Sequence, residues 1–239
     1  MDRAGYLIAI RHEGEALSRA AADLGARVPS CPDWSVADLV AHTGGVHRWV
    51  AEMVRTHADA RLPRESLAAP PTGPAALAWF DEGLAELLEV LTAADPDAPV
   101  WNWSGVDLRA GWWPRRMAHE TAVHRWDAES AAGIPSPIDA ELAADGIDEV
   151  LTIHLPNDFA YNPDDTRHGT VHLHCTDTDG EWLVTLHPNG VDVRREHAKG
   201  DAALRGTASD LDLYCWGRAT AQPVEILGNP TIAPLVRTG

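Results

Sequence analysis

The chain has 239 residues, enough for one large domain or two ordinary ones, each with a full core. Its formal net charge of -17, from 36 acidic against 19 basic side chains, repels phosphate backbones and anionic lipid headgroups, which argues against nucleic-acid and membrane partners. No apolar run approaches the roughly 20 residues that span a bilayer, and Arg11, Glu13 and Glu15 interrupt the start where a signal peptide needs its apolar stretch to continue. The chain therefore reads as a soluble cytoplasmic protein. Cys31, Cys175 and Cys215 are odd in number and form no CxxC pair, so disulfides and zinc-thiolate sites lose support, and each cysteine reads as a small buried hydrophobe.

Leu7, Ile10, Gly14, Leu17, Ala21 and Leu24 step by threes and fours and predict a bundle helix over residues 3 to 25. Ser35 and Asp38 form a near capping box before Val36, Leu39, Val46, Trp49, Val50 and Met53, predicting a second helix to about residue 58. After a link containing Pro63, Pro70, Pro71 and Pro74, a third seam follows in Leu77, Phe80, Leu84, Leu87, Leu88 and Leu91. Trp101, Trp103, Trp112 and Trp113 cluster around the loop before the fourth helix, where they either wall a pocket or cap a core. Pro114 suits a first turn, and Gly133, Pro135 and Pro137 stop a helix over about 114 to 133, which closes a four-helix unit.

Beyond a boundary near residue 135 the periodicity changes. A helix over 138 to 153 precedes Val171, Leu173 and Cys175, which alternate with Thr170, His172 and His174 as in a half-buried strand. A turn at 176 to 180, a second alternating run in Trp182, Val184 and Leu186, and an Asn189-Gly190 turn before Val191 and Val193 predict a small antiparallel sheet. Residues 207 to 220 predict a helix opened by Thr207 or Ser209. The fold class is α+β, with a helical unit at 1–135 and a small α+β unit at 136–239.

The chemistry gathers on the fourth helix. Met117, Glu120, His124, Asp127 and Ala131 lie on one seam, which puts three ionisable groups on a core face, and a buried carboxylate without a partner costs several kcal/mol. A metal ion is the simplest compensation. Glu120 and His124 are one turn apart, and His42 shares the inward face of the second helix with Leu39, Val46, Trp49 and Met53. Two imidazoles and a carboxylate suit zinc with an open coordination position, and iron or nickel tolerate the same set. Asp127 is placed to orient a histidine. His47 and His119 lie off these seams and read as surface or rim. In the sheet, His172 and His174 with His187 form a weaker rival cluster; they alternate against apolar residues and read as facing solvent, with no carboxylate completing the set. No Gly-rich phosphate loop and no nucleophile elbow is present.

Three stretches, CPDWSVADLVAHTGGVHRWV at 31–50, HETAVHRWDAE at 119–129 and SDLDLYCWGR at 209–218, resemble the mycothiol-dependent maleylpyruvate isomerase family of the DinB-like metal-binding superfamily. The resemblance implies a DinB-like four-helix bundle that binds zinc through His42, Glu120 and His124, followed by a domain resembling sterol-carrier proteins. It implies that the Trp216, Gly217 and Arg218 motif takes part in catalysis, with Arg218 holding a substrate carboxylate. It also implies mycothiol as a thiol cosubstrate whose thiolate adds to the double bond of a cis-enoic acid, allows rotation and leaves to give the trans isomer. Thr43 stands where an apolar residue is expected beside His42.

Two other functions fit the same residues. One is mycothiol S-transfer to an electrophile in detoxification or natural-product biosynthesis, and the other is metal or ligand binding without turnover. The partners expected are a small-molecule substrate and mycothiol, with the chain a monomer or small homo-oligomer.

Overall fold

In the computed structural model, all residues are described except Glu65, Ser66, Pro163, Asn189, Ala219, Ala221 and Gly239. Asp2 opens α1 (Arg3–Ala20) by accepting the Gly5 amide at 2.8 Å, which satisfies one of the donors that a helix start leaves unpaired. α2 (Val36–Arg55) begins on a complete capping box: the Asp38 amide donates to Ser35 Oγ, and Asp38 Oδ2 accepts the Ser35 amide at 2.8 Å. α3 (Ala75–Ala93) has no side-chain cap at its start, but Arg3 donates to the Leu91 and Ala94 carbonyls at its far end. α4 (Trp113–Ala131) follows a 3-10 turn and carries Pro114 in its first turn.

α1 ends before the periodicity predicts because residues 24 to 28 pair with the start of α2 instead. Ala37 N donates to the Leu24 carbonyl and Val36 N to the Ala26 carbonyl, each at 2.9 Å. α2 also stops early, at a turn where His57 takes a φ of 48°. Neighbours round the bundle run α1, α3, α2, α4, so α4 packs on α1 at one side and on α2 at the other. Two glycines permit the close contacts: a Cβ on Gly14 would stand 2.5 Å from Leu84, and one on Gly44 2.5 Å from Trp79. Leu17, Leu39, Met53, Phe80, Leu87, Leu91 and Met117 fill the core. The core-cap reading of the tryptophans holds for Trp112 and Trp113, while Trp101 and Trp103 are half-buried. Trp49, Trp101 and Trp113 pack edge to face, Trp112 joins Trp113 at 4.9 Å between ring centres, and Trp112 and Trp113 are buried.

The helical unit spans Met1–Ser136 and a second compact unit spans Pro137–Gly239. In the second, Asp139 caps α5 (Ala140–Glu149), which runs through a π turn into α6 (Leu155–Tyr161). Five strands follow in the order β3-β2-β1-β4-β5: β1 (Gly169–Cys175), β2 (Glu181–His187), β3 (Gly190–Arg194), β4 (Ala202–Gly206) and β5 (Glu225–Gly228). α7 (Ala208–Cys215), capped by Thr207, packs on α5. The predicted purely antiparallel sheet is corrected here, because β4 pairs parallel with β1. The chain crosses from β3 to the free edge of β1, and β4 and β5 are too short and mixed in character to show alternation in sequence. Asn189 of the predicted Asn-Gly turn, and Ala219 near the end of the last predicted helix, lie outside the described residues. Val171, Leu173, Cys175, Trp182, Val184, Leu186 and Leu204 are buried, while His174 and Glu181 are only partly covered. Among the described residues no helix is long and apolar enough to cross a membrane.

Candidate functional site

α4 is buried over most of its circumference, so its polar residues need partners inside the protein. The helical repeat sets Glu120 and His124 one turn apart, and the packing of α2 on α4 brings His42 opposite them. Glu120 Oε1 stands 3.3 Å from His42 Nε2 and 3.4 Å from His124 Nε2. The three donor atoms lie within 4.8 Å of one another, close enough to share one cation. Trp34 walls this group, with its ring centre 4.9 Å from that of His42. A cavity of about 400 Å³ opens beside His42, lined in part by Gly45, Arg64, Pro70 and Trp79.

Two partners absent from the seam argument support these groups. Arg116, also buried and one turn before Glu120, donates to Glu120 Oε2 at 2.8 Å, leaving Oε1 turned toward the imidazoles. A cation is therefore not the only compensation for Glu120; the i, i+4 spacing of Arg116 was the signal that reveals it. Asp127, fully buried, receives His124 Nδ1 at 3.0 Å on one oxygen and the Ser30 hydroxyl on the other. Ser30 lies in the loop before α2 and carries no sequence signal. Burial pulls the Glu120 carboxyl upward, but hydrogen bonds from His124 and His42 and the Arg116 charge outweigh it and hold it well below the usual range. Burial pushes His124 down, while Asp127 and Glu120 more than reverse this and lift it to about 9. A cation bound by His124 must therefore displace a proton.

The reading of His47 and His119 as surface or rim is corrected, because both are buried. α2 and α4 are enclosed beyond their main seams, which a single-stripe pattern does not reveal. Thr121 Oγ1 donates to the Met117 carbonyl at 2.7 Å, so His47 Nε2, at 2.9 Å from Oγ1, is the donor in that pair. His47 Nδ1 is then unprotonated and has no hydrogen-bond partner among the described residues. Burial, the largest cause, pushes the His47 pKa down to about 4.

Because the folded value lies below the ordinary one, the fold holds the neutral ring. Its stability contribution is complete above about pH 6.5 and is lost as pH falls toward 4, amounting to about 3 kcal/mol. Urea unfolding at pH 7 and 4.5 should show this loss in the wild type and a flatter slope in His47→Gln. An unchanged slope would remove His47 from the account.

Thr43, the departure beside His42, is fully buried and donates to the Leu39 carbonyl at 3.0 Å, so its hydroxyl is spent on its own helix. In the second unit Arg218 follows Gly217, whose φ is 71°, and its guanidinium donates to the Trp216 carbonyl at 2.8 Å. Cys175 and Cys215 are buried and form no disulfide; burial raises both thiols, Cys175 to about 11, so neither is a nucleophile at neutral pH. The weaker rival cluster of His172, His174 and His187 does not form: His187 stands 3.5 Å from Asp192 and is not part of the group that His172 and His174 join. His172 and His174 instead face Glu181 and His197, and His172 is buried rather than solvent-facing.

With both units described, the class is that of an enzyme on a DinB-like helical scaffold followed by a small mixed-sheet unit. No curated protein sequence matches the chain. Two family models do: the mycothiol maleylpyruvate isomerase N-terminal domain over residues 8–129, and the MDMPI C-terminal domain over residues 141–234. The chain belongs to the mycothiol maleylpyruvate isomerase family. Its fold is also that of the crystal structure of the mycothiol-dependent maleylpyruvate isomerase, at 12% identity and a TM-score of 0.63, covering 95% of this chain and 93% of that one. A histidine-to-alanine variant of that enzyme matches at 11% identity with the same TM-score and coverage.

Proposed function

We propose that this chain is a metal- and mycothiol-dependent isomerase that converts a cis-enoic acid to its trans isomer by reversible thiol addition. The observation that carries this reading is the convergence of His42 Nε2, Glu120 Oε1 and His124 Nε2 in a member of this family. Two imidazoles and one anionic oxygen fit zinc and leave a coordination position open. A bound dication supplies what these side chains lack, a lowered pKa for a coordinated thiol, which otherwise titrates near ~8.5 and is mostly protonated at neutral pH.

The chain's own residues do the rest. Asp127 fixes the orientation of His124 and Arg116 fixes that of Glu120, so that the donor atoms are held before a cation arrives. The cavity beside His42 has room for a small organic molecule. Arg218 is proposed to hold the substrate carboxylate and to stabilise the enolate charge that forms when the thiolate sulfur bonds to the alkene carbon. Rotation about the resulting single bond and expulsion of the thiolate complete the isomerisation without net redox change.

The test is turnover of maleylpyruvate by the zinc-loaded protein with and without mycothiol. Thiol-dependent cis-trans conversion is expected, with Arg218→Ala losing turnover while keeping its metal. No conversion in the presence of mycothiol sinks the isomerase reading.

A further inference from the structure

The sheet unit holds a second convergence of donors, formed by residues from three segments. His172 and His174 lie on β1, Glu181 lies directly across from His174 on β2, and His197 lies in the connection between β3 and β4. One carboxylate oxygen, Glu181 Oε1, stands 2.7 Å from His174 Nδ1, 2.6 Å from His197 Nδ1 and 3.2 Å from His172 Nε2. Four donor atoms, one from each residue, lie within 4.8 Å of one another. A tetrahedral ion with bonds near 2.0 Å separates its donors by about 3.3 Å, so small side-chain shifts convert this cluster into a coordination shell.

His172 points to a ligand independently of that spacing. It is only 8% exposed, and its Nε2, 3.2 Å from Glu181 Oε1, makes no hydrogen bond among the described residues. Leaving such a nitrogen unpaired costs about 1–3 kcal/mol unless something else meets it. β1 is paired on both edges, by β2 and β4, which fixes the backbone that carries His172 and His174. A recess of about 320 Å³ lies against two of the four donors, Glu181 and His197.

We infer that His172, His174, Glu181 and His197 form a second site for a divalent transition metal, zinc by preference, which pins the β3–β4 connection to the β1–β2 hairpin. Three imidazoles and one carboxylate suit zinc, cobalt, nickel or copper, and four protein donors fill a tetrahedral shell, so the ion here is structural with no position open for substrate. The site is independent of the donor set on α2 and α4 and of the isomerase reading.

Zinc binding by the full chain, stripped of metal with a chelator, tests this. The double variant His42→Ala/His124→Ala, which lacks the helical donors, should still take up one equivalent of Zn²⁺ and gain thermal stability from it. Adding His197→Ala should abolish that uptake, and adding Glu181→Gln should weaken it by at least about tenfold. His197 is largely exposed, so its removal leaves the sheet packing in place and reads the site itself. The inference is overturned if the double variant binds no zinc, or if the zinc it binds persists undiminished after His197→Ala and His174→Ala.

Discussion

His124→Ala is expected to leave the helical unit folded, to abolish the metal binding proposed there, and to lower the proposed thiol-dependent turnover by about 10³-fold or more. That factor is the rate equivalent of the several kcal/mol that a Lewis acid contributes. His124 is the donor held most tightly, with its ring locked between Asp127 at 3.0 Å and Glu120 at 3.4 Å. His42→Ala and Glu120→Gln should act in the same direction. Asp127→Asn should retain binding but weaken it by about 10- to 100-fold, because the amide no longer favours the required tautomer. Metal per chain, measured on variants whose helical circular dichroism is intact, separates ligand loss from unfolding. If His124→Ala retains both its metal and its activity, the site lies elsewhere.

Arg125→Met should destabilise the helical unit by about 3–5 kcal/mol against a typical total of about 5–15. Arg125 is buried and donates to Glu13 on α1 at 2.6 Å, to Glu129 at 2.7 Å and to the Ser136 carbonyl at 2.6 Å. It thus ties α4 to α1 and to the end of the unit at once. Removing it strands Glu13, itself only 4% exposed, as a buried charge whose remaining ion-pair partner among the described residues is the exposed His12. Glu13→Gln should cost less, because Arg125 keeps Glu129. The double change Glu13→Leu/Arg125→Met should recover stability relative to Arg125→Met, since no unpaired charge is left. Urea unfolding followed by tryptophan fluorescence measures all three. Equal costs for Arg125→Met and the double variant would contradict this account.

The site was partly legible because a helix makes spacing into geometry. Glu120 and His124 had to share a face, and Arg116 could have been added by the same rule. Ser30 was invisible, since it reaches Asp127 across 97 positions of chain, from a loop with no periodicity. The surface reading of His47 and His119 fails because a helix enclosed on nearly every side shows no clean polar stripe. In the sheet, alternation separates His172 and His174 from the apolar residues between them, but the solvent-facing reading fails for His172, which is covered. Alternation could not reveal Glu181 as the cross-strand partner of His174, which depends on register, nor His197, which depends on the path of a loop.

Local sequence is enough to place the four bundle helices, the Ser35–Asp38 capping box, the change from a period of 3.6 to a period of 2, and the pairing of Glu120 with His124 one turn apart. These follow from backbone hydrogen bonding and the placement of apolar side chains within a few residues. Tertiary packing sets that His42 meets that pair, that Ser30 supports it through Asp127, that β4 runs parallel to β1, and that three histidines surround Glu181. Those contacts join residues far apart in the chain, and their distances are set by how whole elements pack.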